Sequence, residues 1–315
     1  MSAKPIKELV QMPVKLTSGH RLCAGCAESI IARQVLLATD KPVVAANATG
    51  CFEVSTTIFP YTAWNIPWVH TAFANGAATG AGVEAAYQGL RRKGKIKEEM
   101  RFVTFGGDGG TYDIGFQALS GMAERGQQLM YVCFNNEAYM NTGIQRSGAT
   151  GFGASTTTSP AGKVVQGKTE FPKDLTQIMA AHDIPYVAQA SPHNYKDLIT
   201  KAEKGFECGG PAFLNTLSPC PRGWRFASDE TINIAKLGVE TCVWPLYEVE
   251  NGKYALTGES KRIAEGKLEK KPVSDWFKAQ GRYKHMLKPE NAPLVDKVQK
   301  EIDEKWEKLI RLSKI

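Results

Sequence analysis

A chain of 315 residues, 43% hydrophobic and 23% charged, has the composition of an ordinary globular protein with one large core or two modest ones. No stretch reaches the roughly 18 consecutive apolar residues of a membrane span, and Met1 to Gly19 has neither an apolar signal core nor a small-residue cleavage site, so a cytoplasmic location is expected. The net charge of +7 sits mostly in Lys261 to Ile315, which hold 15 basic and 9 acidic residues, and no basic cluster with interleaved aromatics points to nucleic acid.

In chain order, Gly19 to Pro219 alternate β-rich runs with helical ones. Strands are expected at Pro42–Asn47, Arg101–Phe105, Leu129–Asn135, Tyr186–Ala190 and Pro211–Leu217. Helices are expected near Ala27–Ala38, Asn75–Arg92, Asp113–Arg125, Asp174–His182 and Tyr195–Phe206. This alternation predicts an α/β fold with a mostly parallel sheet and helices on both faces. Phe73 to Ala86, rich in Ala and Gly but interleaved with polar residues, reads as a soluble helix that lets backbones approach closely. The stretch from Gly148 to Lys168, rich in Gly, Ser and Thr and without periodicity, reads as a functional or mobile loop. After Cys220 the sheet pattern fades. Leu294, Val298, Ile302, Trp306 and Leu309/Ile310 then share one face of a terminal helix that must pack on the body or on another subunit. Its basic residues read as a solvated helical surface ahead of a steering surface for an acidic partner.

Two constellations carry chemistry. The first is Gly107-Asp108-Gly109-Gly110 at the end of one strand, with Asn135-Asn136 at the end of the next. Ligands of α/β sheets bind outside the carboxyl ends of strands, where helices present free N–H groups. Glycines allow close approach to phosphate, and the side-chain oxygens of Asp108 and Asn136 suit magnesium, a hard ion that shares its octahedron with phosphates. The 28-residue separation of Asp108 from Asn136 is one strand-helix-strand step, which sets the two side by side.

The second constellation is cysteine. Seven cysteines in a long chain do not read as a disulfide framework. Cys23 and Cys26 form a CxxC, Cys51 lies in Asn-Ala-Thr-Gly-Cys and Cys220 in Ser-Pro-Cys-Pro, together a four-thiolate set that suits zinc or an iron–sulfur centre. A zinc ribbon normally uses two CxxC pairs close in sequence, and Cys220 precedes a proline as cluster cysteines often do. Cys133, Cys208 and Cys242 read as small hydrophobes.

The spacing of Gly107-Asp108-Gly109 and Asn136 resembles the diphosphate-binding domain of thiamine diphosphate enzymes. Gly107 to Gly115, Asn136 to Gly143, Gln145 to Thr150 and Thr156 to Pro160, with the cysteines, resemble more specifically the β subunit of the pyruvate:ferredoxin oxidoreductases, within the 2-oxoacid:ferredoxin oxidoreductase family. The resemblance covers about His20 to Trp224, and the tail adds little to it. It implies residues 1–225 as a thiamine diphosphate-binding domain carrying the cluster loops, and 226–315 as a C-terminal extension on the body or on partner subunits. It implies magnesium held by Asp108, Asn136 and the Ala138 carbonyl, and diphosphate contacts at Gly107 and Gly109. Asn141 would lie beside the thiazolium and the 2-oxoacid, Glu28 would approach the cofactor, and one 4Fe-4S cluster would sit on Cys23, Cys26, Cys51 and Cys220. Ala27 and Gly151 depart from the Gly and Pro that relatives commonly carry there.

The implied activity is oxidative decarboxylation of pyruvate with coenzyme A to acetyl-CoA and carbon dioxide, reversibly, with electrons passing through the cluster to ferredoxin. The implied partners are a subunit with the pyrimidine-binding domain and its activating Glu, and a ferredoxin-like subunit with further clusters. Alternatives are a relative acting on oxalate or a branched-chain 2-oxoacid, a non-catalytic electron-transfer or zinc assembly subunit, and a plain thiamine-dependent decarboxylase or synthase.

Overall fold

The computed structural model describes residues 4–314. Eight strands form one sheet in the order β2-β1-β3-β4-β6-β5-β7-β8. They are β1 Val43–Ala48, β2 Trp68–Thr71, β3 Arg101–Gly107, β4 Met130–Asn135, β5 Tyr186–Ala190, β6 Ala212–Leu217, β7 Tyr247–Glu250 and β8 Lys253–Leu256. The pairs among β1 to β6 are parallel, and β7 and β8 add an antiparallel margin on β5.

Every residue of β4, β5 and β6 is buried, because helices cover both faces of a parallel sheet and leave no polar side. On one face Val43, Val103, Phe105, Val132 and Phe134 pack against the helices Ala27–Leu36 and Tyr195–Glu207. On the other, Phe102, Tyr131, Cys133 and Phe213 meet Gly76–Arg92, Phe116–Glu124 and the terminal helix Ala292–Ser313. Helix Gly76–Arg92 turns Gly76, Ala77, Gly80 and Ala81 inward, so its small residues bring it close to the sheet as the sequence implies.

The expected fading of the sheet after Cys220 is corrected by β7 and β8. Their short hairpin around Asn251-Gly252, with alternating exposure, continues the sheet where a scan for long apolar runs finds nothing. The half-buried edge strand β2 was likewise not expected from the sequence. Residues 226–315 thus supply two strands, and Trp306 and Leu309 of the terminal helix enter the core of the second face. The helix expected from Asp113 begins instead at Phe116, preceded by a π-helical turn over Gly109–Ile114. Such turns are rare and concentrate at functional sites. No helix among the described residues is long and apolar enough to cross a membrane.

The chain passes from β1 to β2 on one side and then returns to place β3 on the other side of β1. That reversal opens a crevice at the carboxyl ends of β1 and β3.

Candidate functional site

A cavity of about 210 Å³ occupies this crevice. Its walls are Asn47 to Phe52 at and beyond the end of β1, Gly107 and Gly109 at the end of β3, Asn136 and Ala138 to Thr142 after β4, and Glu28 and Phe73. The register pairs Gly107 with Phe134, which sets Asp108 and Asn136 side by side at neighbouring strand ends.

Asp108 is wholly buried. Its Oδ1 accepts from the Asn136 backbone N–H at 3.2 Å and its Oδ2 from Ser147 Oγ at 2.6 Å. Burial pushes the carboxyl up to about 8, and Ser147 opposes the shift; no cationic side chain offsets the loss of water. Asn136 donates Nδ2 to Glu28 Oε1 at 3.1 Å, while its Oδ1 is buried without a partner. An orphaned amide oxygen beside a buried, uncompensated carboxylate is the donor set of a hard cation, so the residues present fit magnesium.

Glu28 is 4% exposed, and burial raises its carboxyl to about 7 against the pull of the Asn136 hydrogen bond. It holds the Asn136 amide with its nitrogen turned away from the unpartnered oxygen. Gly107 has open space where a Cβ would stand, which leaves room for a ligand. At Gly109 a Cβ would lie 2.6 Å from the Tyr139 ring, so this glycine serves the cavity through its wall. Ala138 is buried and Asn141 exposed, both on the cavity lining.

Three of the four thiols sit at the starts of short helices. Cys26 precedes Ala27–Leu36, Cys51 opens Cys51–Thr56, and Cys220 accepts from the Gly223 N–H at 3.3 Å ahead of Pro221–Trp224. Cys23 is exposed, and Cys51 also lines the cavity. Burial first and the Glu28 charge second raise the Cys51 thiol, and the charges of Cys220 and Cys23 add to it. Cys26 and Cys220 are raised in the same way, each by burial and then by neighbouring anions. The thiols therefore share one electrostatic neighbourhood, which favours their neutral form unless a cation stands beside them. Among the described residues no group of three or more His, Cys, Asp or Glu stands close enough to hold a metal ion, the four cysteines included. Cys133 and Cys242 are buried among apolar neighbours, and Cys208 is partly buried.

The sequence assigns no role to several residues at the site, although Ser147, Tyr139 and Met140 lie in the segments that resemble the family. Ser147 reaches Asp108 from 39 residues away, and Trp224 donates Nε1 to the Asn136 carbonyl at 2.7 Å. Phe73, Tyr139 and Met140 give the cavity its apolar wall. A larger cavity of about 330 Å³ lies under the terminal helix, bounded by Tyr112, Asn215 and Trp306. The smaller one is lined by Gly107, Asn136 with its unpartnered oxygen, and Cys51, at the carboxyl ends of β1 and β3.

Residues 48–216 match the thiamine pyrophosphate enzyme C-terminal TPP-binding domain. The chain is 47% identical to pyruvate synthase subunit PorB of Thermotoga maritima, over 98% of this chain and 97% of that protein. It is 48% identical to the subunit of the same name from Methanocaldococcus jannaschii, over 91% and 93%. Among solved structures, the 2-oxoglutarate:ferredoxin oxidoreductase from Magnetococcus marinus covers 72% of this chain and 82% of its own at a TM-score of 0.55. At 21% identity it speaks for the fold alone.

Proposed function

The chain belongs to the β subunits of the 2-oxoacid:ferredoxin oxidoreductases, which are thiamine diphosphate enzymes, and we propose that its cavity houses the reacting end of that cofactor in a pyruvate:ferredoxin oxidoreductase. The reaction joins pyruvate, coenzyme A and two oxidised ferredoxins to give acetyl-CoA, carbon dioxide, two reduced ferredoxins and a proton. One observation carries the reading: Asn136, whose buried side-chain oxygen has no partner, and Cys51 line a single cavity at the strand-order reversal, with the buried Asp108 bonded to the Asn136 backbone N–H beside it.

Asp108, Asn136 Oδ1 and the Ala138 carbonyl would hold magnesium, with Gly107 and Gly109 against the diphosphate. When bound, thiamine diphosphate supplies an electron sink for decarboxylation of a 2-oxoacid. A 4Fe-4S cluster on Cys23, Cys26, Cys51 and Cys220 would supply a one-electron acceptor. Ser147 and two backbone N–H groups hold the Asp108 carboxylate in place, and Glu28 fixes the Asn136 amide. Phe73, Tyr139 and Met140 keep water from the cavity wall. Asn141, exposed on the rim, would meet substrate. The aminopyrimidine half and its activating Glu would come from a partner subunit, and ferredoxin-type clusters from another.

The test is anaerobic ferredoxin reduction by the native complex, with pyruvate in the presence and absence of coenzyme A and with oxalate alone. Activity on pyruvate that requires coenzyme A is expected; activity on oxalate alone overturns the substrate assignment. Asp108→Asn is expected to weaken magnesium-dependent cofactor retention by about 100-fold, and unchanged retention overturns the metal assignment.

A further inference from the structure

Between the two proposed magnesium ligands Asn136 and Ala138 stands a strained residue. Glu137 has φ of 61°, the left-handed region that a non-glycine residue enters only when its surroundings hold it there. A relaxation of this one residue would re-aim the side chain before it and the carbonyl after it.

What holds Glu137 comes largely from far along the chain. Its N–H donates to Asn135 Oδ1 at 3.1 Å, and its carbonyl accepts from Thr150 Oγ1 at 2.6 Å. Arg282 Nη2 stands 2.9 Å from Glu137 Oε2, an ion pair not aligned as a hydrogen bond, with both side chains under 8% exposed. The Arg282 guanidinium lies over the Trp224 ring, 4.0 Å from its centroid. Trp224 in turn donates Nε1 to the Asn136 carbonyl at 2.7 Å. Gln280 fixes Arg282 by accepting from its Nε at 2.8 Å. Gly151 leaves space for this packing, since a Cβ there would lie 2.3 Å from the Tyr283 hydroxyl and 3.3 Å from Glu137 Oε2.

We infer that Arg282, with Trp224, is a positioning residue for the metal site, clamping the Asn136–Ala138 turn in the left-handed form that aims Asn136 Oδ1 at the cation. The inference rests on the magnesium reading above. It gives residues 226–315 a part in the site, although they lie beyond the chain segment that carries its motifs. A buried ion pair seldom adds net stability over apolar residues of like volume, so the role that fits this one is to fix a conformation.

The experiment measures retention of thiamine diphosphate by the purified complex with its partner subunits, by equilibrium dialysis against a magnesium series. Thermal unfolding and iron content are read in parallel. Arg282→Met is expected to raise the magnesium needed for half retention by about tenfold, the order of the strain released. Combining R282M with Glu137→Gln removes the stranded carboxylate and is expected to restore the unfolding temperature but not the magnesium response. Combining R282M with Glu137→Gly, whose glycine adopts this φ freely, is expected to restore both. If R282M leaves the magnesium response unchanged, if the glutamine double variant recovers it, or if the glycine one does not, the clamp is overturned. Should R282M fail to assemble, the two double variants decide between them. A wild-type complex whose retention ignores magnesium overturns the metal reading itself.

Discussion

At the scale of single residues, the CxxC loop rests on a glycine. Gly25 stands between Ala24 and Cys26 with φ of +75°, and a Cβ there would lie 2.1 Å from the Ser228 carbonyl oxygen. Its own carbonyl accepts from Thr231 Oγ1 at 2.5 Å. The CxxC loop is therefore seated on the segment that follows Cys220, with no room for a methyl group. Gly25→Ala is expected to cost more than about 1 kcal/mol in stability and to lower iron and sulfide per chain, because the backbone must move at both loops. Thermal unfolding with iron analysis checks this, and full iron content in the variant contradicts it. The four candidate cysteines stand out in the sequence by their motifs. The requirement at Gly25 does not, since the atom it faces lies some 200 residues away and leaves no local trace.

Among elements, the segment from Gly148 to Lys168 shows why the sequence is silent on some structure. It contains no helix or strand, as its composition implies, yet its ends are buried and tied. The Gly153 N–H donates to the Lys168 carbonyl at 2.8 Å, and Lys168 Nζ donates to the Thr150 carbonyl at 2.6 Å. Burial and then the Arg146 charge lower this ammonium to about 8, against smaller upward pulls from Glu137, Glu170 and Asp113. The folded value lies below that of the unfolded chain, so the unfolded state binds more protons between about pH 8 and 10 and stability rises across that window. Lys168→Met leaves the Thr150 carbonyl unpaired and is expected to cost about 1–3 kcal/mol at pH 7. The gap in unfolding temperature between wild type and K168M should widen from pH 7 to 9.5, and a gap that narrows contradicts the assignment. Element type was legible where periodicity is strong, as in Gly76–Arg92 and Tyr195–Glu207. It was missed in β2, β7 and β8, which are four residues each and only part-buried, because such strands are stabilised by pairing with a sheet already formed. The π-helical turn at Gly109–Ile114 was missed for a related reason: nothing in Gly-Gly-Thr-Tyr-Asp-Ile distinguishes it from an ordinary helix start.

For the whole molecule, the same residues decide what can stand alone. β7 pairs with β5, and Trp224, wholly buried, packs edge-on against Trp276 at 5.5 Å. A chain ending at residue 225 would bare that ring, leave Tyr186–Ala190 as an open edge and lose Arg282. It is expected to aggregate or to lack cooperative unfolding, as circular dichroism and sedimentation would report. The intact chain faces a different limit. Its cavity is closed on the side of buried Asn136 but opens at the rim, where Asn141 and Thr142 are exposed. One cofactor-binding α/β sheet is present, and the activating carboxylate for the pyrimidine has no counterpart on the cavity lining other than Glu28, which is committed to Asn136. The isolated chain is therefore expected to give no pyruvate-dependent ferredoxin reduction even when its iron is complete, and to gain that activity when its partner subunits are added under anaerobic conditions. Turnover by the isolated chain at a rate comparable to the complex would mean that the site is finished within these 315 residues.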